Sequence, residues 1–511
     1  MNRERWVWLV AAVLAVGFWA WRALAAPLPF YGFQSDPELH YFINSLLPAN
    51  GLPIEHTDHP GTALQWLGAI MARGLGLRLE DAFNPVALQH FFLCWRGLAL
   101  ASLLGTGLWL AHRLKGRGAW VIALLVLLPA FDYQTLVYWL TFTPESAFFV
   151  LYLPAALFCL FRSGRLEGCS FGQGLLLAGL LGFITTLKLT LWPVTLFVLA
   201  QLAVARPSPV SAPAWRRFIA FMGLAVVTFV VVASLFARDR GAPWRWMLAL
   251  IEHTGRYGAA RPGEGFFPPL TVGLEALRRA FALQDDTTLP VFGAVIALAI
   301  WGWRAQKFQT DRRARALCSG FIVALFLLVL MFFKHPYQGK YLMPASVLLV
   351  LYLAAQADAG RLPPVRWTQL LCLIFGFSAA NAFLTQKILF DHVLAREARI
   401  SARIDAWLAA APHDALVFSS RLPHPLPAFR EALRPPLQAE FARRFGRVEL
   451  TGTYSLDFQR VAAPELPALP GVRHAIAFLN TPTADPRWRL VEAIPEDELY
   501  VYLPTPNPPS R

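Results

Sequence analysis

The sequence predicts an all-α polytopic membrane protein with about eleven transmembrane helices and a small C-terminal α/β domain outside the membrane. Only 15% of the 511 residues are charged and 56% are hydrophobic, whereas soluble domains carry roughly a quarter charged residues. The mean hydropathy is +0.46. Apolar stretches of about twenty residues, enough to cross ~30 Å of hydrocarbon as helix, recur along the chain. Several are apolar on every face, which disfavours a large soluble core.

The apolar stretches can be placed in chain order. The first, from Trp6 to about Ala26, is long and has Trp near its ends, which favours an uncleaved span over a cleaved signal peptide. The tight turn near residue 188 is expected to lie inside the membrane. Ten further spans are predicted at 88–111, 119–131, 136–161, 171–187, 189–205, 218–236, 289–303, 317–333, 341–356 and 367–386.

The basic residues orient the chain. The net charge is +14, but Lys and Arg cluster in short segments between spans, and no basic face or nucleic-acid-binding motif is present. Short basic loops are typical of the cytoplasmic side. The N-terminus is therefore predicted to be cytoplasmic and the C-terminus periplasmic. The long loops at 27–86 and 238–288 then face outward, and nucleic acid is not an expected partner.

The region 391–511 has a different composition from the membrane region 1–390. A helix is predicted from Ala395 to Ala411, and strands at 415–418, 472–479 and 498–503. This pattern indicates a small extracytoplasmic α/β domain without a nucleotide-binding glycine loop. The five cysteines of the chain show no paired spacing, so neither a disulfide framework nor a zinc site is predicted.

The first outer loop carries the most suggestive cluster of polar residues. Asp36 and Glu38 flank Pro37, and Asp58-His59-Pro60 follows before another apolar stretch. The structural alternative for the first pair is a capped helix lying at the membrane interface. Together, these carboxylates and imidazoles can accept a proton or hold a divalent cation.

Other polar residues occur where apolar residues would be less costly. Glu145 opens a span, where a carboxylate must face protein or water. Lys188 lies between two apolar stretches and either snorkels to the interface or holds a lipid phosphate. Arg256, in the second outer loop, and the segment Lys334 to Tyr341 add further cations, although Lys and Tyr also serve as interface anchors. The acidic residues lie early in the chain and the basic residues lie later. This combination suits a phosphate-linked substrate, whose phosphate the basic groups would bind.

This arrangement resembles the GT-C superfamily of integral membrane glycosyltransferases, most closely the branch of protein O-mannosyltransferases and lipid A aminoarabinose transferases. The resemblance rests on an acidic motif in the first outer loop, a following His-Pro pair, a Pro/acidic motif at the fourth span, a Lys in a Thr-containing span and a late Lys-Tyr-Leu-x-Pro motif. Pro37 separates two acids that are adjacent in many members, and Glu145 stands where Asp is common. The matching residues are Asp36, Glu38, Tyr41, Asp58, His59, Pro60, Pro144, Glu145, Lys188 and Lys340 to Pro344.

The resemblance implies transfer of a sugar from a polyprenyl phosphate to a lipid-linked, glycan or protein acceptor at the outer face of the bacterial inner membrane. Asp36 would be the general base, with Glu38 as the alternate. The groups expected to bind the donor phosphate are Lys188, Arg256, Lys340 and His335. Pocket residues would be Asp58, His59, Glu145, Tyr41, Tyr257 and Tyr341. A divalent cation, if used, would be held by Asp36, Glu38, Asp58 and Glu145.

Two other functions fit the same sequence. A non-enzymatic lipid or glycolipid transporter is expected to show inverted repeats or interrupted central helices with polar residues at mid-bilayer. No repeat is visible, and most polar residues fall on one predicted face. A scaffold subunit would use the outer loops only to bind partners.

Overall fold

The computed structural model describes residues 13, 17, 38–57, 61–114, 141–164, 170–204, 213–252, 271, 274, 312–334, 339–359, 392, 395–412, 415–420, 422, 424–433, 437–446, 448–450 and 474–505. This part of the chain is mostly helical, with one five-stranded sheet near its C-terminal end. The helices are α1 (Glu38–Ala49), α2 (Thr62–Gly74), α3 (Pro85–Arg113), α4 (144–164), α5 (Phe171–Thr185), α6 (Trp192–Val204), α7 (Ala214–Leu235), α8 (Ala242–Glu252), α9 (Arg312–Lys334), α10 (Met343–Asp358), α11 (395–410), α12 (Pro425–Ala432) and α13 (Leu437–Phe445).

Several helices have the length and apolarity of membrane spans. Four are long enough to cross a bilayer, and three shorter apolar helices accompany them. Their positions coincide with predicted spans, which agrees with an integral membrane protein. Apart from residues 13 and 17, the predicted spans at 6–26, 119–131, 289–303 and 367–386 lie outside the described residues, so the count of about eleven stays a prediction. The four long helices are Pro85–Arg113, Pro144–Arg162, Ala214–Leu235 and Ala314–Phe333, and the shorter ones are Phe171–Thr185, Leu189–Val204 and Met343–Asp358.

Local sequence explains where two of these helices begin. The Asn84 side chain accepts a hydrogen bond from the Val86 N–H at 3.0 Å, and Pro85 occupies the first helical position of α3. Ser170 caps α5 by accepting from the Gln173 N–H at 3.2 Å, while the Gln173 side chain accepts from the Ser170 N–H. These caps satisfy backbone donors that the first turn of a helix leaves free.

Helices α5 and α7 approach each other closely at two glycines. At Gly182, a methyl group in place of the α-hydrogen would lie 2.8 Å from the Cα of Ala225 and would overlap that residue's carbonyl oxygen. Gly174 faces the Phe221 ring in the same interface. Small residues of this kind allow membrane helices to pack backbone against backbone.

We expect Gly182→Ala to destabilise the protein by about 1–3 kcal/mol, since overpacking forces the backbone apart. Gly179→Ala is the matched control on the same helix, because its new methyl group would meet only ordinary contacts at 3.7 Å and beyond. The measurement is thermal unfolding of both variants in the same detergent. Equal stability of the two variants would contradict the close packing of α5 against α7.

The helix ends on one side of the bundle lie together. Arg113 at the end of α3 forms a 3.4 Å salt bridge with Asp358 at the end of α10. The Arg113 guanidinium also lies 5.5 Å from the centroid of the Phe161 ring near the end of α4. These three helix ends were all predicted to lie on the cytoplasmic side. Their contact therefore agrees with the predicted order in which the spans cross the membrane. Which side faces the cytoplasm remains a prediction of the positive-inside rule.

The C-terminal sheet is mixed. Its strands are β1 (Leu416–Ser419), β2 (Val448–Leu450), β3 (Ala475–Leu479), β4 (Trp488–Ile494) and β5 (Leu499–Pro504), in the order β2-β1-β3-β5-β4. β1 pairs in parallel with β2 and β3, whereas β5 runs antiparallel to β3 and β4. The predicted helix at 395–411 and the strands at 415–418, 472–479 and 498–503 are confirmed to within a few residues.

β2 and β4 were not predicted. β2 has only three residues, and β4 is an edge strand in which only Trp488 is buried and Arg489 and Glu492 interrupt the apolar residues, which weakens any apolar periodicity. The proposed boundary at residue 390 lies outside the described residues.

Candidate functional site

Glu145 occupies the first turn of α4. Thr143 has extended backbone angles, Pro144 follows at the first helical position, and the Glu145 side chain is 1% exposed. A carboxylate is favoured near a helix N-terminus because the helix dipole is positive there. A π-helical turn at Phe148–Tyr152 follows immediately, and such turns are frequent at functional sites.

Lys188 is the cation that pairs with Glu145. Helix α5 ends at Thr185, and the chain turns through Thr186 to reach Lys188, whose backbone is extended. The ammonium group donates to Glu145 Oε1, and the lysine side chain is only 2% exposed. The expected alternative of snorkelling to the interface is therefore wrong for Lys188. The tight turn at this point was predicted from the sequence and is present.

Tyr341 completes the group from a third part of the chain. It belongs to the 3₁₀ turn Gly339–Leu342 that leads into α10, and its ring centroid lies 5.5 Å from the Lys188 ammonium nitrogen. This is the range of a cation–π contact. Three of the sequence-selected residues thus meet in one buried place, although they are far apart in sequence.

Glu38 links the first outer loop to the entrance of α4. Its side chain is completely buried, and its Oε2 accepts a hydrogen bond from the Phe142 N–H at 2.9 Å. Arg96 of α3, itself 4% exposed, interacts electrostatically with Glu38. The adjacent Trp95 donates from Nε1 to the Thr141 carbonyl at 2.9 Å. Glu38 therefore holds the segment that directly precedes Pro144 and Glu145.

The helix that carries Glu38 is buried inside the protein. Residues 38–48 of α1 are all buried, which argues against a helix that merely lies at the membrane interface. Asn44 anchors the next segment, because its Oδ1 accepts from the His56 N–H at 2.7 Å while its Nδ2 donates to the His40 carbonyl at 2.8 Å. The His56 ring lies 5.5 Å from the ring centroids of both His40 and Tyr41.

The first outer loop also contacts the beginning of the second. The Ile54 N–H donates to the Phe236 carbonyl, and the Arg238 N–H donates to the Ile54 carbonyl, both at 2.9 Å. Arg238 also donates to Glu55 Oε1 at 2.7 Å. The middle of the first long loop therefore contacts the start of the second, which agrees with their predicted location on one side of the membrane.

The chain matches no protein family profile, no curated protein and no solved structure. What the site can do chemically is therefore judged from its own side chains. The Glu145 carboxylate fixes the direction of the Lys188 ammonium group, which carries three donors. Such a cation can stabilise an anionic oxygen, and the attraction is strong where water is scarce.

Part of the predicted site lies outside the described residues. This applies to six of the selected residues and to the side chain of Lys340, whose backbone shares the turn with Tyr341. Among the described residues, no three His, Cys, Asp or Glu side chains gather as metal ligands. The selected residues outside the described part are Asp36, Asp58, His59, Arg256, Tyr257 and His335.

Sequence reasoning missed Arg96. The residue lies within the 29-residue helix α3, which is otherwise apolar along this stretch. A charge inside a membrane span is costly and is usually paired with a group of opposite charge. That signal was available in the sequence, but only the structure identifies Glu38 as the acidic group beside it.

Proposed function

We propose that this protein is a glycosyltransferase that moves a sugar from a polyprenyl-phosphate donor to a lipid-linked, glycan or protein acceptor at the outer face of the membrane. The observation that carries the proposal is the convergence of Glu145, Lys188 and Tyr341 beside the buried first outer helix. An intramembrane ion pair of this kind is expensive, and such groups generally mark functional sites.

The transfer step requires a base and a stabilised leaving group. Asp36 removes the proton from the acceptor hydroxyl, whose oxygen then bonds to the anomeric carbon of the sugar. The bond from that carbon to the phosphate oxygen breaks, and polyprenyl phosphate leaves with the electron pair. Attack from the face opposite the phosphate inverts the anomeric configuration.

The cations act on the departing phosphate. Lys188 is oriented by Glu145 and supplies charge-assisted donors, with Lys340, Arg256 and His335 as further phosphate-binding groups. Asp58, His59, Tyr41 and Tyr257 shape the pocket. If a divalent cation takes part, its candidate carboxylate ligands are Asp36, Glu38, Asp58 and Glu145.

Glu38 is better suited to positioning than to base catalysis. Its carboxylate is fully buried, accepts the Phe142 N–H and lies close to Arg96. A base must reach the acceptor proton directly or through one water molecule. We therefore assign the base to Asp36, two residues earlier in the chain.

The test uses purified full-length protein in lipid nanodiscs with a panel of polyprenyl-phosphate sugars and acid-released bacterial envelope glycans as acceptors. We expect acceptor-dependent release of polyprenyl phosphate and a product of inverted configuration, measured by mass spectrometry and NMR. In proteoliposomes, movement of intact donor across the bilayer without cleavage of any donor would instead establish the transporter.

A further inference from the structure

The C-terminal sheet changes winding direction at β1. From β1 the chain first forms β2 on one side and later β3 on the other, and all three strands are parallel. In open α/β sheets, such a change leaves a crevice beyond the carboxyl ends of the two strands that flank it, and ligands bind there. By this rule the corresponding position in this domain, called the crevice below, is between the ends of β1 and β3.

Polar side chains occupy the ends of these two strands. Ser420 follows β1 and Asn480 follows β3, and the Asn480 N–H donates to Ser420 Oγ at 2.8 Å. The Ser420 N–H donates to the Phe478 carbonyl at 2.9 Å, which fixes the spacing between the two strand ends. Asn480 is 5% exposed, and its Oδ1 has no hydrogen-bond partner among the described residues. A buried amide oxygen without a partner favours a ligand that donates a hydrogen bond.

The helix that begins beside this crevice is not built to bind phosphate. Phosphates bind at helix N-termini through free backbone N–H groups, but Pro425 and Pro427 of α12 have none. The Leu426 N–H donates to His424 Nδ1 at 3.1 Å, and the Ala428 N–H donates to the His424 carbonyl at 3.3 Å. The first turn of α12 therefore offers no free donor, which disfavours a nucleotide or another phosphorylated ligand.

A second acceptor, Asp405 of α11, is held by His424, which lies in the connection between β1 and α12. Because His424 Nδ1 accepts a hydrogen bond, the ring proton is on Nε2, which donates to Asp405 Oδ1 at 3.2 Å. Burial lowers the pKa of His424, and the contact with Asp405 opposes this only in part. The Asp405 side chain is 68% exposed and is available to an incoming hydroxyl group.

The domain is docked on the candidate site. Helix α12 packs against α1, the helix that follows Asp36. Phe83 of the first outer loop lies 5.5 Å from Phe429 of α12 and 5.9 Å from Phe441 of α13, measured between ring centroids. A ligand held beside α12 is therefore held close to the first outer loop.

We propose that the crevice between β1 and β3 binds an uncharged saccharide, the glycan portion of the acceptor. A saccharide donates hydroxyl hydrogen bonds to the Asn480 amide oxygen and the Asp405 carboxylate without needing a phosphate site. The assignment of this saccharide to the acceptor rests on the proposed glycosyltransferase function. Saccharide binding itself does not require catalysis.

The test measures binding without donor, using delipidated oligosaccharides released by mild acid from bacterial envelope glycolipids. Saturation-transfer NMR on the full-length protein in nanodiscs is expected to detect binding to wild type. Asn480→Leu and Asp405→Ala, which each remove an acceptor oxygen, should each weaken binding about tenfold, the effect of one lost hydrogen bond. Glu496→Gln, an exposed acid of the same domain, is the control and should bind as wild type does.

Stability separates binding from a structural role. Asn480→Leu removes an amide oxygen that has no described partner, so its melting temperature should not fall. Loss of saccharide binding with an unchanged melting temperature supports the crevice. Three results would overturn it: no binding by the wild type, unchanged binding by both variants, or loss of binding only in variants that unfold. Donor cleavage without saccharide binding would leave the enzyme proposal standing and refute the crevice. Saccharide binding without donor cleavage would support the crevice and refute the enzyme proposal.

Discussion

Lys188→Met is expected to destabilise the protein by about 3–5 kcal/mol, the effect of leaving one member of a buried ion pair uncompensated. Glu145 is 1% exposed and Lys188 2% exposed, so water cannot replace the lost partner. The measurement is unfolding of detergent-solubilised protein by heat and by denaturant. The same variant should also lose transfer activity, since it lacks the cation that stabilises the departing phosphate.

The double variant Lys188→Met/Glu145→Met separates these two effects. Replacing both members of a buried pair with apolar residues of similar size is often neutral or stabilising, so stability should return to near the wild-type value. Transfer activity should not return. Recovery of both stability and activity would show that Lys188 only supports the fold, and a double variant as unstable as the single one would show that the pair is not coupled.

Asp36→Asn is expected to reduce the transfer rate by roughly 10²–10⁴-fold, the usual contribution of a general base. Asn has nearly the same shape as Asp but cannot take the proton. Initial rates at saturating donor, corrected for the amount of protein in nanodiscs, measure the effect. Glu80→Gln changes an exposed carboxylate of the same outer loop and should leave the rate unchanged.

Glu38→Gln distinguishes positioning from catalysis. The Gln amide oxygen can still accept the Phe142 N–H, so the fold of the loop should persist, although the attraction to Arg96 is reduced. We expect a much smaller loss than for Asp36→Asn. The opposite order would make Glu38 the base, and normal rates in both variants would remove the first outer loop from the chemistry.

The sequence predicted the spans better than the packing between them. Hydropathy is a local property, because about twenty apolar residues suffice to define a span, and each described long apolar helix was predicted. The turn at Thr186 to Lys188 was also visible, since it interrupts two apolar stretches. The three-residue strand β2 and the exposed edge strand β4 carry too little apolar pattern to be recognised.

The candidate site was only partly predictable. Glu145, Lys188 and Tyr341 were selected because polar groups near apolar stretches are costly. Their spacing along the chain gives no sign that they meet in one place. Arg96 was overlooked, although a charge in the middle of the apolar helix α3 is a signal of the same kind.

By itself, the sequence determined that the chain has many apolar helices, a different C-terminal region, and a few polar residues where they are expensive. The tertiary structure decided which of these polar residues bind one another. Lys188 pairs with Glu145 from another helix, and Glu38 holds the segment before α4 rather than facing solvent. The physical reason is that apolarity is a property of each segment alone, whereas an ion pair depends on how helices distant in sequence pack. Asp36 therefore stays the proposed base, while Glu38 and the Lys188–Glu145 pair are buried and bound to other parts of the protein.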